Sequence, residues 1–463
     1  MELKQIFGQG SSGKSPEDFA ATSKNQYVRS QVQIALATPE AKGRRLSAVE
    51  ALNSYGLEIL ASVAENGAAT LVKTREEPAR TLRRRREDLN LEIKDVVRQT
   101  GLDIEVVKAL ETPGKASKIR DIEKLAVSLA LDERKVGMPS HAVDRELGVR
   151  LRELRGAVDA IKFDATSVLK IAEAGWVISR QNELERFLNI RVDPIISEGT
   201  LQSDDYSYVA AEKGYALAEK VRRHIGLKPD EPIESLRELL ETKLAVPLVQ
   251  DKLSARFAGA TIANGANRGI IVNEEGHNER VWTRRMTLAH EIGHLVGDPD
   301  PRLNKLRVDH YDRLSKNLAS ETDNVERRAN GFAVAFLAPP EAVRSIAQKA
   351  SSSKAALEIV TNTFGISRTA AIYHIFNVAK LDTSRVDTKN LKDTSDEWQP
   401  RENLTIDYFP LDETPLNRRG RFASLVVMAE KAGHISEDTA ASFLNTVVEK
   451  YLKARDTIFA LQN

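Results

Sequence analysis

Residues 287–296 read Thr-Leu-Ala-His-Glu-Ile-Gly-His-Leu-Val, a His-Glu-x-x-His pattern inside an apolar, helix-compatible run. Four steps of about 100° return to nearly the same helix face, so His290 and His294 can reach one metal ion. Glu291 then leans toward the coordination position the protein leaves open. The chemistry is hydrolysis. A zinc ion lowers the pKa of water from about 15.7 toward 7 and polarises a carbonyl, while Glu291 carries the proton to the departing amine. Leu288, Ile292 and Leu295 form an apolar stripe that buries the rest of the helix. The plainer reading is a core helix with two histidines one turn apart and a surface Glu between them.

A zinc site needs a third protein ligand, and three residues qualify. Asp300 completes His290-Glu291-x-x-His294-x-x-Gly297-x-x-Asp300, a metzincin-like spacing, but no Met lies between Met286 and Met428 to form the Met-turn of that class. His310 stands in Val308-Asp309-His310-Tyr311, where a lone loop His is more often solvated. Glu326 opens an apolar run with helical spacing that stops at Pro339-Pro340. Asn330 lies one turn beyond it, so Glu326 can ligate while Asn330 hydrogen-bonds a ligating His. Glu326 is the expected third ligand.

Thr287 to Val296 taken with Glu326 to Pro339 resembles the ImmA/IrrE-type (DUF955) metallopeptidases, whose hallmark is a His-Glu-x-x-His helix followed by a Glu-x-x-Ala-Asn-x-Phe-Ala helix. The likeness covers about Ser207 to Pro340. It implies a gluzincin-like zinc fold with His290, His294 and Glu326 as ligands, Glu291 as the catalytic base and Asn330 behind a ligand. It also implies a helix-turn-helix repressor or antitoxin as substrate, in a stress or mobile-element response. Arg328 stands where the family often has an acidic residue, and it is not expected to touch the metal.

Composition sets the bounds. A length of 463 residues permits two or three domains with substantial cores. A net charge of +1 gives no global case for nucleic acid or membrane, so any basic patch must be local. The absence of Cys excludes disulfides and thiolate ligands, restricts zinc ligation to His and carboxylate, and suits a reducing compartment. No apolar run approaches membrane-spanning length and the start lacks a signal-peptide core, so a cytoplasmic protein without membrane contact is expected.

The elements that must position this chemistry read as mainly α with a small β-sheet (α+β). A helical helix-turn-helix domain comes first, then a gluzincin-like zinc metallopeptidase domain, then a helical C-terminal extension. Residues 1–77 form a helical or flexible segment. Within it Gly8-Gln9-Gly10-Ser11-Ser12-Gly13-Lys14-Ser15 matches the Walker A expression, but without a buried strand before it or a magnesium-binding partner it reads as a chance match. Ala48 to Ala64 is an amphipathic helix.

Residues 78–138 resemble an XRE-type (Cro/repressor-like) domain, with Glu92–Gln99, a turn at Thr100-Gly101-Leu102, and Asp103–Glu111 as helix, turn and helix. The second helix offers Asp103, Glu105 and Lys108 where base edges would be read, and Ile93 stands where Gln is common. The arginines Arg83, Arg84, Arg85 and Arg86, with Lys108, are the candidate DNA contacts. A protein-interaction module is the alternative for this block.

Residues 139–200 are a helical bridge and linker, with Trp176 in the core. Residues 205–345 are the peptidase-like domain. Its strands at Val246–Val249, Phe257–Ile262 and Gly269–Val272 surround an Asn264-Gly265 hairpin signal. A strand edge there could align an extended peptide. Arg284 and Arg285 open the metal helix, free to pair with acids or substrate. Residues 346–463 are the helical extension, with His374 on an apolar face and 383–403 as a loop. The expected partners are a protein substrate, DNA, and a second copy of the chain. The expected cofactor is zinc. The competing reading is a DNA-binding regulator whose peptidase-like domain senses a ligand without cleaving; a scaffold that has lost both functions is a third. Intact Glu291 favours the enzyme.

Overall fold

In the computed structural model the described residues are 2–138, 147, 163–191, 193–197, 210–254, 256–264, 267–298, 307–310, 321–386, 391, 393–402 and 408–461. They are mainly helical with two four-stranded sheets. The chain divides into two compact units, Met1–Ile190 with Ile406–Asn463, and Arg191–Thr405.

The first unit departs from the expectation for residues 1–77. Besides the helix Ala48–Asn66 it holds an antiparallel sheet of β1 (Gln26–Arg29), β2 (Gln33–Leu36), β3 (Arg44–Ser47) and β4 (Ala68–Thr70), in the order β3-β1-β2-β4. Strands of three or four residues are too short to show alternation in sequence. Phe7, Tyr27, Ile34, Leu46, Leu60 and Val63 form the core between sheet and helix. The Walker-like stretch joins helix Leu3–Phe7 to helix Pro16–Thr22. Its amides at Lys14 and Ser15 donate to the Asp18 carboxylate at 2.9 and 3.1 Å, so the chain's own acid takes the donors a phosphate would need.

Helices Glu77–Asp88, Ile93–Thr100, Ile104–Leu110 and Ile119–Ser128 follow. Gly101, with φ of 64°, ends the second and turns the chain into the third. Leu82, Val96, Val107, Ile122, Leu125 and Leu129 are buried among them. Trp176, on the long helix Ala165–Phe187, packs edge-on against Phe443 with ring centres 5.3 Å apart. The extension expected at 346–463 is therefore divided. Helices Arg421–Lys431, Glu437–Phe443 and Val448–Ala460 belong to this first unit, held by buried polar bonds such as Arg418 to Glu173 and the Ser436 amide to Glu50.

The second unit is larger than the expected 205–345. A short helix at Pro194–Ser197, placed in the linker by sequence, seats Ile195 and Ile196 in the core, and Arg268 donates to the Ile196 carbonyl at 2.7 Å. At the other end helices Pro340–Lys349, Ser353–Phe364 and Arg368–Ala379 contribute Val343, Leu357, Val360, Phe364 and Ile375 to the same core. The expected loop at 383–403 is anchored too. Trp398 is buried, its indole donates to the Asn362 carbonyl, and the Glu402 carboxylate accepts the Leu236 amide at a helix start.

The sheet of this unit runs β5 (Leu248–Asp251), β7 (Asn267–Asn273), β6 (Phe257–Asn264), β8 (Arg307–His310). β5 and β7 are parallel, and β6 and β7 form the antiparallel hairpin. The other edge of β6 is paired with β8, Thr261 opposite Arg307 and Ala260 opposite Val308, so β6 itself offers no open edge to an extended peptide along these residues. Helices Ala210–His224 and Glu321–Leu337 cross in backbone contact. A Cβ on Gly214 would lie 2.2 Å from the Arg328 carbonyl oxygen, and one on Gly331 2.6 Å from that of Ala211. This crossing sets where Glu326 and Asn330 stand.

Candidate metal centre

Helix Val281–Gly297 carries the His-Glu-x-x-His residues, with Leu288, Ile292 and Leu295 fully buried on its apolar stripe. Its first turns are pinned by polar bonds. Arg284 donates to the carbonyls of Asn278 and Glu402, and Thr287 donates to the Asn278 side chain. Arg285 is fully buried 3.4 Å from Glu402 and under the Trp398 ring, so both arginines serve the fold rather than a substrate. Glu291, read in the plainer case as a surface residue, is 0% exposed.

The structure brings His290, His294 and Glu326 together, one ligand atom from each within 4.8 Å of the others. The two Nε2 atoms are 2.9 Å apart, and Oε2 of Glu326 lies 3.2 Å from His290 Nε2 and 3.7 Å from His294 Nε2. Tetrahedral zinc with ligands at about 2.0–2.1 Å spaces its donor atoms about 3.4 Å apart. The outer nitrogens are engaged. His290 Nδ1 donates to the Asn330 amide oxygen and His294 Nδ1 to the Asp298 carboxylate, each at 2.9 Å. In the neutral imidazoles both Nε2 lone pairs then face the Glu326 carboxylate, and three electron-rich atoms converge on one point. Such a trio requires positive charge at its centre. Burial would lower the His294 pKa and raise that of Glu326. Their mutual attraction wins, lifting His294 to about 9 and holding Glu326 well below the usual carboxylate range. The residues present fit a metal ion.

Three contributors were not found in the sequence. Thr261 on β6 donates its hydroxyl to the Glu291 carboxylate. Asp298 follows His294 by one helical turn, a spacing that could have marked it as the histidine's partner. Arg328 donates to the other oxygen of Asp298; it does not reach the three donors. Of the other ligand candidates, Asp300 lies outside the described residues, and His310 sits on β8 opposite Phe257.

The candidate DNA contacts separate into two groups. Arg85 is buried and donates to the Leu129 and Ala130 carbonyls, and Arg86 makes a two-pronged pair with Glu111, so these two are spent on the fold. Arg83, paired with Glu87, Arg84, and Lys108, paired with Glu105, are exposed.

Residues 249–376 match the family model of the IrrE N-terminal-like domain, Peptidase_M78. The match begins in β5 and runs past the Glu326 helix to Phe376, so it contains the whole donor trio and supports a metallopeptidase-type function for this unit. No curated protein matches the chain. No helix among the described residues is long and apolar enough to cross a membrane.

Proposed function

We propose that the chain is a zinc-dependent endopeptidase of the His-Glu-x-x-His type. The observation that carries this reading is the convergence of His290, His294 and Glu326 beside a fully buried Glu291. His290, His294 and Glu326 hold the ion, with Asn330 and Asp298 keeping each histidine in the tautomer that turns Nε2 inward. When bound, zinc supplies Lewis acidity toward water and a peptide carbonyl. Glu291 takes a proton from the attacking water and returns it to the leaving amine, while the Thr261 hydroxyl holds its carboxylate in place.

The substrate proposed is a protein, a helix-turn-helix repressor or antitoxin, cleaved in a stress or mobile-element response. The helix pair Ile93–Thr100 and Ile104–Leu110, joined at a left-handed Gly101, favours a second reading. In it the chain is a DNA-binding regulator whose peptidase-like unit senses a ligand without cleaving.

The test adds zinc-loaded wild type or Glu291→Gln to a native lysate and maps new protein N-termini by mass spectrometry. Cleavage that requires Glu291 supports the peptidase. Bound zinc with no Glu291-dependent cleavage defeats it and favours the regulator.

A further inference from the structure

Arg328 lies two residues beyond Glu326, about 200° around the helix Glu321–Leu337, so its backbone faces away from the donors. Its side chain returns. It passes over Gly297, the last residue of the metal helix, where an added Cβ would sit 3.3 Å from Nε and 3.7 Å from Cζ. Beyond Gly297, Nη2 donates to Oδ1 of Asp298, whose Oδ2 accepts from His294 Nδ1 at 2.9 Å. Asp298 is 1% exposed and Arg328 8%.

A lone buried carboxylate is costly and turns about its last torsion. Held at both oxygens, this one has a counter-charge and a fixed plane, and its second oxygen stays on the imidazole N–H. The helix Glu321–Leu337 thus acts on the trio three times: directly through Glu326, on His290 through Asn330, and on His294 through Arg328 and Asp298.

We propose that Arg328 is a positioning residue of the metal site, fixing the tautomer and ring orientation of His294 by clamping Asp298. The inference rests on the reading of His290, His294 and Glu326 as metal ligands. Gly297 leaves room for the path of the Arg328 side chain: an added Cβ there would meet Leu217 Cδ2 at 2.9 Å first, with Arg328 Nε next at 3.3 Å.

The experiment measures the dissociation constant for zinc, added as zinc chloride, by competition with a chromogenic chelator. The full chain is used as wild type, Arg328→Met, Arg328→Lys, Asp298→Asn and the double variant Arg328→Met/Asp298→Asn. Cobalt absorption spectra of the same proteins report donor geometry. Arg222→Met is the structural control: Arg222 donates to the Phe336 carbonyl near the far end of the same helix, at 2.8 Å.

Arg328→Met and Asp298→Asn are each expected to weaken zinc by about 10–100-fold and to change the cobalt spectrum, with Arg328→Lys recovering most of the affinity. Because Arg328 acts through Asp298, the double variant binds no more weakly than Asp298→Asn. Arg222→Met unfolds at lower temperature with unchanged zinc affinity. Arg328→Met within about twofold of wild type, losses that multiply in the double variant, or an equal loss in Arg222→Met would each overturn the proposal. Wild type that binds no zinc would instead defeat the metal-site reading beneath it.

Discussion

The Thr261 hydroxyl donates to the Glu291 carboxylate across the boundary between β6 and the metal helix, and neither side chain is exposed. In the proposed peptidase, a base held by the sheet keeps its orientation independently of the two histidines on either side of it in sequence. A hydrogen bond to a charged group is worth about 1.5–3 kcal/mol, so Thr261→Val should slow Glu291-dependent cleavage by about 10–100-fold. Thr261→Ser should retain most activity. Metal analysis of the same preparations should find zinc undiminished in both; lost zinc would show that Thr261 supports the site as a whole.

The donor trio predicts a graded pattern of metal content. Wild type should carry about one zinc per chain, and Glu326→Ala should lose it, because two imidazoles alone leave the site a donor short. Asn330→Ala should keep the fold but weaken zinc by about 10–100-fold, since His290 loses the acceptor at its Nδ1. Asp300→Ala should bind like wild type. Elemental analysis of proteins purified without chelator checks all of these. Zinc lost only in Asp300→Ala would replace Glu326 as the third ligand.

His290, Glu291, His294, Glu326 and Asn330 could be picked out from sequence because coordination restricts residue type and a helix restricts spacing. Thr261 and Asp298 touch Glu291 and His294 directly and Arg328 reaches His294 through Asp298, but all three belong to residue types common everywhere. Their roles depend on how β6 and two helices meet, which no local pattern encodes. The same limit explains the fold. Periodicity shows that Leu425 or Leu444 faces a core; it does not say that the core is the one around Trp176. β8, with the sequence Arg-Val-Asp-His, has no strand-like run, and its pairing with β6 is what makes it a strand.

The arginine run yields a test that separates fold from binding. Arg85 satisfies the Leu129 and Ala130 carbonyls in a buried setting, so Arg85→Met should cost about 1–3 kcal/mol of stability in urea unfolding. Arg84 is exposed, and Arg84→Met should stay within about 0.5 kcal/mol. Any affinity of this unit for DNA through the run must then rest on Arg83 and Arg84. Fluorescence anisotropy with duplex DNA should weaken in Arg84→Met and show a shallower salt dependence. Binding that ignores Arg84 would remove the run from any DNA surface.

His374 predicts how the second unit responds to acid. Its Nε2 donates to the Ala338 carbonyl and its Nδ1 accepts from the Tyr215 hydroxyl, both at 2.7 Å, so the folded state holds a neutral ring. Burial pushes its pKa down from 6.5 to about 4, against the pull of the Ala338 bond. Between those values the unfolded chain binds a proton that the folded chain refuses, so stability rises with pH across the window. The contribution is complete above about pH 6.5 and is lost as pH falls toward 4, a total of about 3 kcal/mol. His374→Gln keeps a donor and an acceptor but cannot titrate. Urea unfolding in the presence of chelator should therefore find wild type more stable at pH 7.5, with the gap to His374→Gln narrowing by about 3 kcal/mol on descent to pH 4. Other acids titrate alike in both proteins and cancel in the difference. Parallel stability curves would mean that His374 takes up its proton without cost, and that the Tyr215 and Ala338 bonds do not fix its tautomer.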